Sequence, residues 1–319
     1  MAFYPLKGFN NVFEASYSNE IKDALVEYFD WGLLEKGNYF NVTRGELAPN
    51  GQDYSKLKLA RDSNYASGCV WEGFRKNWVW QSGIAGAAGR PAPIVGTNNT
   101  KPGISGVYVN GAFKPITSTG TYAHFVDYHN GRVVFATPLP TGTLVQAEFS
   151  YKWINVLYAS DVPWLRQIQM NTNQPKADNT ITVAPEMRVQ LPAIAIELVP
   201  RRSFRGYQLG GGQFVYTDVL FHVFAEDDGT RDQLIDITSF QNDKQVFTFD
   251  SNKIAVSGTF PLDYRGVPVS GALRYPDIIG GYMNGYINLT KTTLQDTTNY
   301  GDFFGGIVRT TTEGIKTNI

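Results

Sequence analysis

The sequence predicts an α+β fold, namely an antiparallel-rich sheet with one or two covering helices and a small all-β module. The central sheet is indicated first by residues 193–199, where Ile194, Ile196 and Leu198 alternate onto one face of a strand. Residues 216–225 are apolar almost throughout, which is typical of a strand covered on both faces. A helix pattern follows directly, so we expect one sheet layer with a helix across it.

That helix has both a start signal and an apolar face. Asp227 or Asp228 can cap its N-terminus, and its apolar positions are Leu234, Ile235 and Ile237. The three acids that begin here, Glu226 included, could also bind a cation, but capping and the helix dipole explain them better.

The two central strands are joined by residues 201–212, which are polar and glycine-rich and predict a loop. Residues 180–192 return the chain to strands before the first of them, and residues 245–250 predict the next strand. These elements define an expected α/β core over residues 180–256.

Residues 104–160 contain the clearest β pattern and predict an inserted antiparallel β module. Its turns are expected at Asn110-Gly111, at 129–131 and at 138–142. Because residues 83–103 are small, proline-bearing and aperiodic, we expect a loop there that limited proteolysis cuts before the module itself.

The N-terminal segment, residues 1–90, predicts a helix and an aromatic-rich stretch that pack on the core. Ser18 is a suitable N-cap for a helix over residues 18–36, whose apolar stripe is Ile21, Ala24, Leu25, Tyr28 and Phe29.

Three of the six tryptophans, Trp71, Trp78 and Trp80, lie close together in this segment. Such a cluster either belongs to the core or forms a partner surface, for example for sugar rings, and both interpretations stay open on sequence alone.

The tail, residues 257–319, is rich in Gly, Thr, Tyr and Asn and has no helical period. We expect it to be an extended C-terminal arm that completes its packing in an assembly.

Composition excludes several functional classes. The formal net charge is −1 without a basic block, so electrostatic binding to nucleic acid is not the expected function. One cysteine excludes a disulfide framework, and no apolar run is long enough for a membrane span. We expect neither a secretory signal nor a membrane association.

Signatures of chemistry are absent as well. The histidines are not arranged as metal ligands, there is no nucleophile elbow, and Gly210-Gly211-Gly212 lacks the lysine and helix of a phosphate loop. We therefore expect a protein that is not an enzyme and has no metal or cofactor. A hydrolase acting on cell-wall sugar remains an alternative, because carboxylate pairs cannot be recognised without a fold.

Four short sequence segments in the central region resemble the core of tailed-phage tail-terminator and neck proteins. They are Ile196-Glu197, residues 207–211 (YQLGG), residues 222–226 (HVFAE) and residues 231–236 (RDQLID). Residues 126–152 (VDYHNGRVVFATPLPTGTLVQAEFSYK) also resemble a β segment that recurs across phage virion proteins.

This resemblance implies a virion structural protein, a subunit of an oligomeric ring at the head–tail junction, assembled in the host cytoplasm. Its partners would be copies of itself and other neck, tail tube or sheath proteins, with DNA only as a passenger through the ring. The alternative is a tail-fibre or baseplate adhesin that binds a host-surface glycan through the tryptophan cluster.

Head-to-tail contacts in a ring require two different surface patches on each subunit. The expected patches are a basic loop with Arg201, Arg202 and Arg205 and an acidic edge with Glu226, Asp227 and Asp228, because a strand of about 30 Å would keep them apart within one chain.

Overall fold

A computed structural model describes residues 17–48, 50–95, 103–159, 190–208, 211–257, 261–299 and 303–316. The strand signal over residues 180–189 and the turn at Leu209-Gly210 lie outside the described residues. The chain divides into two compact units. Unit 1 comprises Met1–Trp31, Ile154–Ser257 and Tyr275–Ile319, and unit 2 comprises Gly32–Trp153 and Gly258–Arg274.

Unit 2 is built from short antiparallel strands in three small sheets. The strands are β1 (Tyr39–Val42), β2 (Lys58–Leu59), β3 (Val70–Glu72), β4 (Gly106–Val109), β5 (Ala112–Pro115), β6 (His124–Asp127), β7 (Arg132–Phe135), β8 (Val145–Ala147) and β9 (Phe149–Lys152). The sheet orders are β1-β9, β2-β3-β7-β6 and β5-β4-β8.

The hairpin turns of unit 2 lie where the sequence places them. Asn110 and Gly111 both have positive φ, 49° and 81°, in the tight turn between β4 and β5, and residues 128–131 connect β6 to β7. The alternating run after the third turn is divided at Glu148 into β8 and β9, which belong to different sheets.

The expected β module is wrong in its limits, because it is only part of unit 2. Residues 83–95 do not separate two folding units, since the chain on both sides of them belongs to unit 2. Backbone carbonyls of this segment accept hydrogen bonds from Tyr39 Oη (3.0 Å to Pro91) and Asn41 Nδ2 (3.0 Å to Ala92). Its lack of periodicity reflects coil that is held in place by side chains.

Unit 1 contains one six-stranded sheet in the order β10-β11-β12-β15-β14-β13. Its strands are β10 (Asn155–Tyr158), β11 (Ala193–Gln208), β12 (Gly211–Ala225), β13 (Gln245–Phe249), β14 (Met283–Asn299) and β15 (Phe304–Lys316). All neighbours are antiparallel except β10 and β11, which are parallel. The antiparallel-rich α+β class is thereby confirmed.

Helices accompany this sheet in the described part of unit 1, and three of them contact its strands. They are α1 (Tyr17–Glu35), α2 (Asp228–Ser239), α3 (Ser251–Ser257) and α4 (Tyr275–Tyr282). Phe29 of α1 contacts Phe221 of β12, with 5.1 Å between ring centroids. The predicted N-terminal helix and its stripe are confirmed, although Ser18 lies inside α1 and is not its N-cap.

The expected C-terminal arm is wrong. β15 lies between β12 and β14 and pairs with β12 from Phe304 to Lys316, so the tail forms the middle of the sheet. Its glycines hid the strand pattern, yet they serve packing: a side chain at Gly306 would place its Cβ 2.9 Å from Ile235 Cδ1 of α2. Gly306 therefore leaves the space in which α2 packs against β15.

Candidate subunit interface

The segment expected to be a basic loop is instead a long β-hairpin. Residues 201–208 continue β11, which pairs with β12 as far as Gln208 and Gly211, with a bulge between Leu198 and Arg202. The loop prediction is wrong because polar residues and Gly206 can extend a strand wherever a partner strand supplies backbone hydrogen bonds. Residues 209–210 alone separate β11 from β12.

This hairpin carries charge of one sign. Residues 199–217 contain three arginines and no acidic residue. Arg201 and Arg205 are exposed, and both can bind carboxylates bidentately with their planar guanidinium groups. The end of the unit 1 sheet formed by the hairpin is therefore a cationic surface.

Arg202 differs from the other two arginines. It is half-buried, its guanidinium carbon lies 5.9 Å from the centre of the Tyr17 ring, and its Nε atom has no hydrogen-bond partner among the described residues. Because Arg202 and Thr217 are register partners, Arg202 points to the side of the sheet on which Thr217 is buried. Arg202 therefore contributes packing as well as charge.

Exposed aromatic rings accompany the arginines. Phe204 is 60% exposed and Tyr207 is 47% exposed, which is unusual for rings of this size in a folded unit. Tyr207 contacts Phe214 edge to face at 5.2 Å, and Tyr216 Oη donates a hydrogen bond of 3.4 Å to Glu313. Arginine beside exposed aromatic rings is the composition that dominates binding energy in protein interfaces.

Asp218 marks the point where the cationic surface meets internal ion pairs. It forms an ion pair with Arg309 and accepts a hydrogen bond of 2.8 Å from Thr311 Oγ1. Burial raises the pKa of Asp218, but the contacts with Arg309 and Thr311 and the charge of Arg201 outweigh burial and lower this pKa below its ordinary value. Asp218 therefore offsets part of the positive charge of the hairpin, but only near the base of the hairpin.

The expected acidic patch lies at the other end of β12. Glu226, Asp227 and Asp228 follow Ala225, and all three are exposed. Thr217, opposite Arg202, is eight residues before Ala225, so the two patches are separated by about 27 Å along the strand. The sequence predicts that the basic and acidic residues lie apart within one chain, and the structure keeps them apart.

Part of this acidic patch is engaged in capping α2. Asp227 is the N-cap, and its Oδ1 atom accepts a hydrogen bond of 2.8 Å from the backbone N–H of Thr230. Hydrogen bonds from the Thr230 side chain and backbone lower the pKa of Asp227, so this carboxyl stays charged. Capping is thus confirmed, and five acids within residues 226–236 make this end of the sheet anionic.

The tryptophans do not form a partner surface. Trp71, Trp78 and Trp80 are 3%, 1% and 6% exposed, and Trp78 stacks on Phe149 at 3.9 Å. The core interpretation is confirmed and the expected partner surface is wrong, because the side chains fill the interior between the small sheets of unit 2.

His, Cys, Asp and Glu side chains are the usual candidates for metal binding and catalysis. The described residues include no group of three or more His, Cys, Asp or Glu side chains placed to hold a metal ion. The buried His222 pairs with Glu197, with 2.7 Å between Nε2 and Oε2, and the thiol of Cys69 is buried, which raises its pKa. In the described part of the chain, no helix is both long enough and apolar enough to cross a bilayer.

Comparison with models of protein families gave no match. A comparison with curated proteins likewise found no similar sequence.

Two features of the candidate interface are not predicted by the sequence. The first is the exposure of Phe204 and Tyr207, which the sequence shows only as apolar residues in a polar stretch. The second is the continuation of β11 through residues 201–208. The sequence is compatible with a strand there, because two sets of residues alternate along it: Arg202, Phe204 and Gly206 on one side, and Ser203, Arg205 and Tyr207 on the other.

Proposed function

We propose that this chain is a non-enzymatic structural subunit that assembles head to tail into an oligomeric ring. The observation that carries this proposal is the charge polarity of the unit 1 sheet. One end is a hairpin with exposed Arg201 and Arg205, and the other end carries the exposed Glu226, Asp227 and Asp228. Two complementary patches on one subunit are what a heterologous, closing contact requires.

The resemblance of the central region to tail-terminator and neck proteins supports a specific setting. In that setting the ring lies at the head–tail junction of a tailed phage, and other neck, tail tube or sheath proteins lie above and below it. DNA passes through the ring and is not a ligand. The formal net charge of −1 is compatible with this, because a nearly neutral chain has little electrostatic attraction for DNA.

A glycan-binding adhesin is the weaker alternative. Its proposed platform, the tryptophan cluster, consists of buried side chains, so nothing observed favours it.

The test is to replace Arg201 and Arg205 with serine in the full chain. We expect weaker self-association in sedimentation velocity, with the largest difference from wild type at low salt, because exposed charge pairs are screened by salt. Arg202 is left unchanged because it packs on Tyr17.

The matched control replaces Lys244 and Lys253 with serine. These lysines are also exposed and also belong to unit 1, but they lie outside the hairpin. If both double variants associate as wild type does at every salt concentration, the hairpin is not the contact and the proposed function loses its support.

A further inference from the structure

The two outermost strands of the unit 1 sheet are much shorter than the strands they cover. β10 has 4 residues and pairs with the 16-residue β11 only over Ala193–Ile196. β13 has 5 residues and covers the 17-residue β14 only over Met283–Asn288. Among the described residues, long stretches of both inner strands therefore have no strand on their outer side.

Few described groups occupy these edges. Beyond Ile196, no described strand pairs with the outer side of β11, and Arg201, Ser203, Arg205 and Tyr207 are exposed there. On β14, residues 242–244 bind the backbone as far as Thr292, and no described strand lies on the outer side of Thr293–Thr298. Backbone N–H and C=O groups on such edges are able to pair with another strand.

The two free edges lie at opposite ends of the sheet and differ in charge. The β11 edge runs to the basic hairpin. Residues 293–298 of β14 pair with residues 305–309 of β15, and these in turn pair with Leu220–Phe224 of β12. The β14 edge therefore lies near the acidic end of the sheet. Asp296 is exposed on the β14 edge, and α2, which carries Asp232 and Asp236, packs against β14. The β11 edge thus carries two exposed arginines and the β14 edge an exposed aspartate, so the two edges differ in charge on one subunit.

The strand directions also match. β11 and β14 are separated by three antiparallel pairings, β11 with β12, β12 with β15, and β15 with β14, so they run in opposite directions. A second copy in the same orientation would therefore bring its β14 antiparallel to β11. Because the two edges lie at opposite ends of the sheet, each copy must be shifted along the strand direction relative to the copy before it. A sheet closes on itself when such a shift is constant and its strands are tilted.

We propose that residues 201–207 of one subunit pair with residues 293–298 of the next copy, so that one sheet continues across the contact. This inference rests on the proposed head-to-tail assembly and specifies the backbone surface that forms it. Each edge is interrupted by a bulge, between Leu198 and Arg202 and between Leu294 and Asp296. Bulges, together with Pro200, hinder indiscriminate edge pairing, which restricts each edge to a partner of matching charge and shape.

Disulfide cross-linking between separately purified variants tests this pairing. One protein carries Ser203→Cys, and the others carry Thr293→Cys, Gln295→Cys or Thr297→Cys, which together sample neighbouring registers. All four positions are exposed, and the natural Cys69 is only 4% exposed. We expect a covalent dimer on mixing Ser203→Cys with at least one of the three partners and none from any variant alone.

A mixture of Ser203→Cys with Gly229→Cys, in the first turn of α2 at the acidic end, provides the competing result. If this mixture cross-links and the three β14 variants do not, subunits meet head to tail without strand pairing, and the inference falls while the proposed function stands. If wild-type protein does not self-associate at all, both are overturned.

A second variant blocks the β14 edge directly. Gln295 occupies the bulge and has no register partner on β15, so Gln295→Pro removes an N–H of the β14 edge at a position outside the paired register of β14 and β15. We expect self-association about tenfold weaker than for wild type, with Gln295→Ala unchanged. Equal association of a folded Gln295→Pro protein would contradict the pairing. If that variant does not fold, the cross-linking result decides.

Discussion

Phe204 and Val215 are register partners in the β11–β12 hairpin, yet Val215 is 2% exposed and Phe204 is 60% exposed. Directly opposite residues in an antiparallel pair point to the same face of the sheet. That face is therefore buried at Val215 of β12 but exposed at Phe204 of β11. β11 leaves the packed core at this point. The apolar ring of Phe204 is therefore exposed directly opposite a buried residue of the partner strand.

The first prediction separates the roles of these two residues. Val215→Ala removes buried methyl groups and should lower the free energy of unfolding by about 2 kcal/mol, measured by urea denaturation. Phe204→Ser should change it by about 0.5 kcal/mol or less but weaken self-association. A large loss of stability in Phe204→Ser would show that its ring is part of the core.

The second prediction concerns a buried ion-pair network in unit 2. Arg132 lies 2.9 Å from Asp127 and 2.7 Å from Asp62, and all three side chains are nearly buried. Arg132→Met leaves two buried carboxylates without a counter-charge and should destabilise the protein by about 3–5 kcal/mol. Lys56→Met serves as the control, because the Lys56 side chain is 56% exposed and lies 3.9 Å from Asp53, so its loss should cost less than about 1 kcal/mol.

The third prediction tests the assignment of Trp78 to the core. Trp78→Ala should lower the free energy of unfolding by about 3–5 kcal/mol, because the indole is 1% exposed and stacks on Phe149. Phe113→Ala, at a ring that is 44% exposed, should cost less than about 1 kcal/mol. Equal effects of the two substitutions on chemical denaturation would contradict the assignment.

The fourth prediction concerns pH. Burial lowers the pKa of His222 below its ordinary value of 6.5, and this effect exceeds the opposing contact with Glu197. The unfolded chain therefore binds the proton more readily, so stability is full above the unfolded pKa and falls as pH drops below about 6.5. Unfolding measured between pH 7.5 and 5 should show this loss.

The matching control is His222→Gln, which cannot titrate and should show a flatter profile over the same range. The carboxyls with lowered pKa, such as Asp218 and Asp62, lose their contribution only at lower pH, below their ordinary range. An identical slope in wild type and His222→Gln would remove His222 as the cause.

The parts of the fold that the sequence predicts best are those with strong local signals. Asn110-Gly111 and the stripe of α1 specify their own conformations, and Asp227 caps α2 as its spacing implies. The tail was not predictable in this way, because Gly306 is dictated by the approach of Ile235, which is distant in sequence.

The candidate interface was predicted in charge but not in form. Arg201, Arg205 and the acids at 226–228 are recognisable from the sequence, and so is their separation along a strand. The continuation of β11 past Arg201 depends on pairing with β12, and the burial of Trp78 depends on Phe149, so neither follows from local composition.

The most direct test of the account is negative-stain electron microscopy of the purified full chain, combined with sedimentation velocity. Closed rings of one copy number are expected, because complementary patches on neighbouring subunits satisfy one another when the rotation closes. A protein that remains a monomer at low salt and high concentration, or that forms open filaments only, would contradict it.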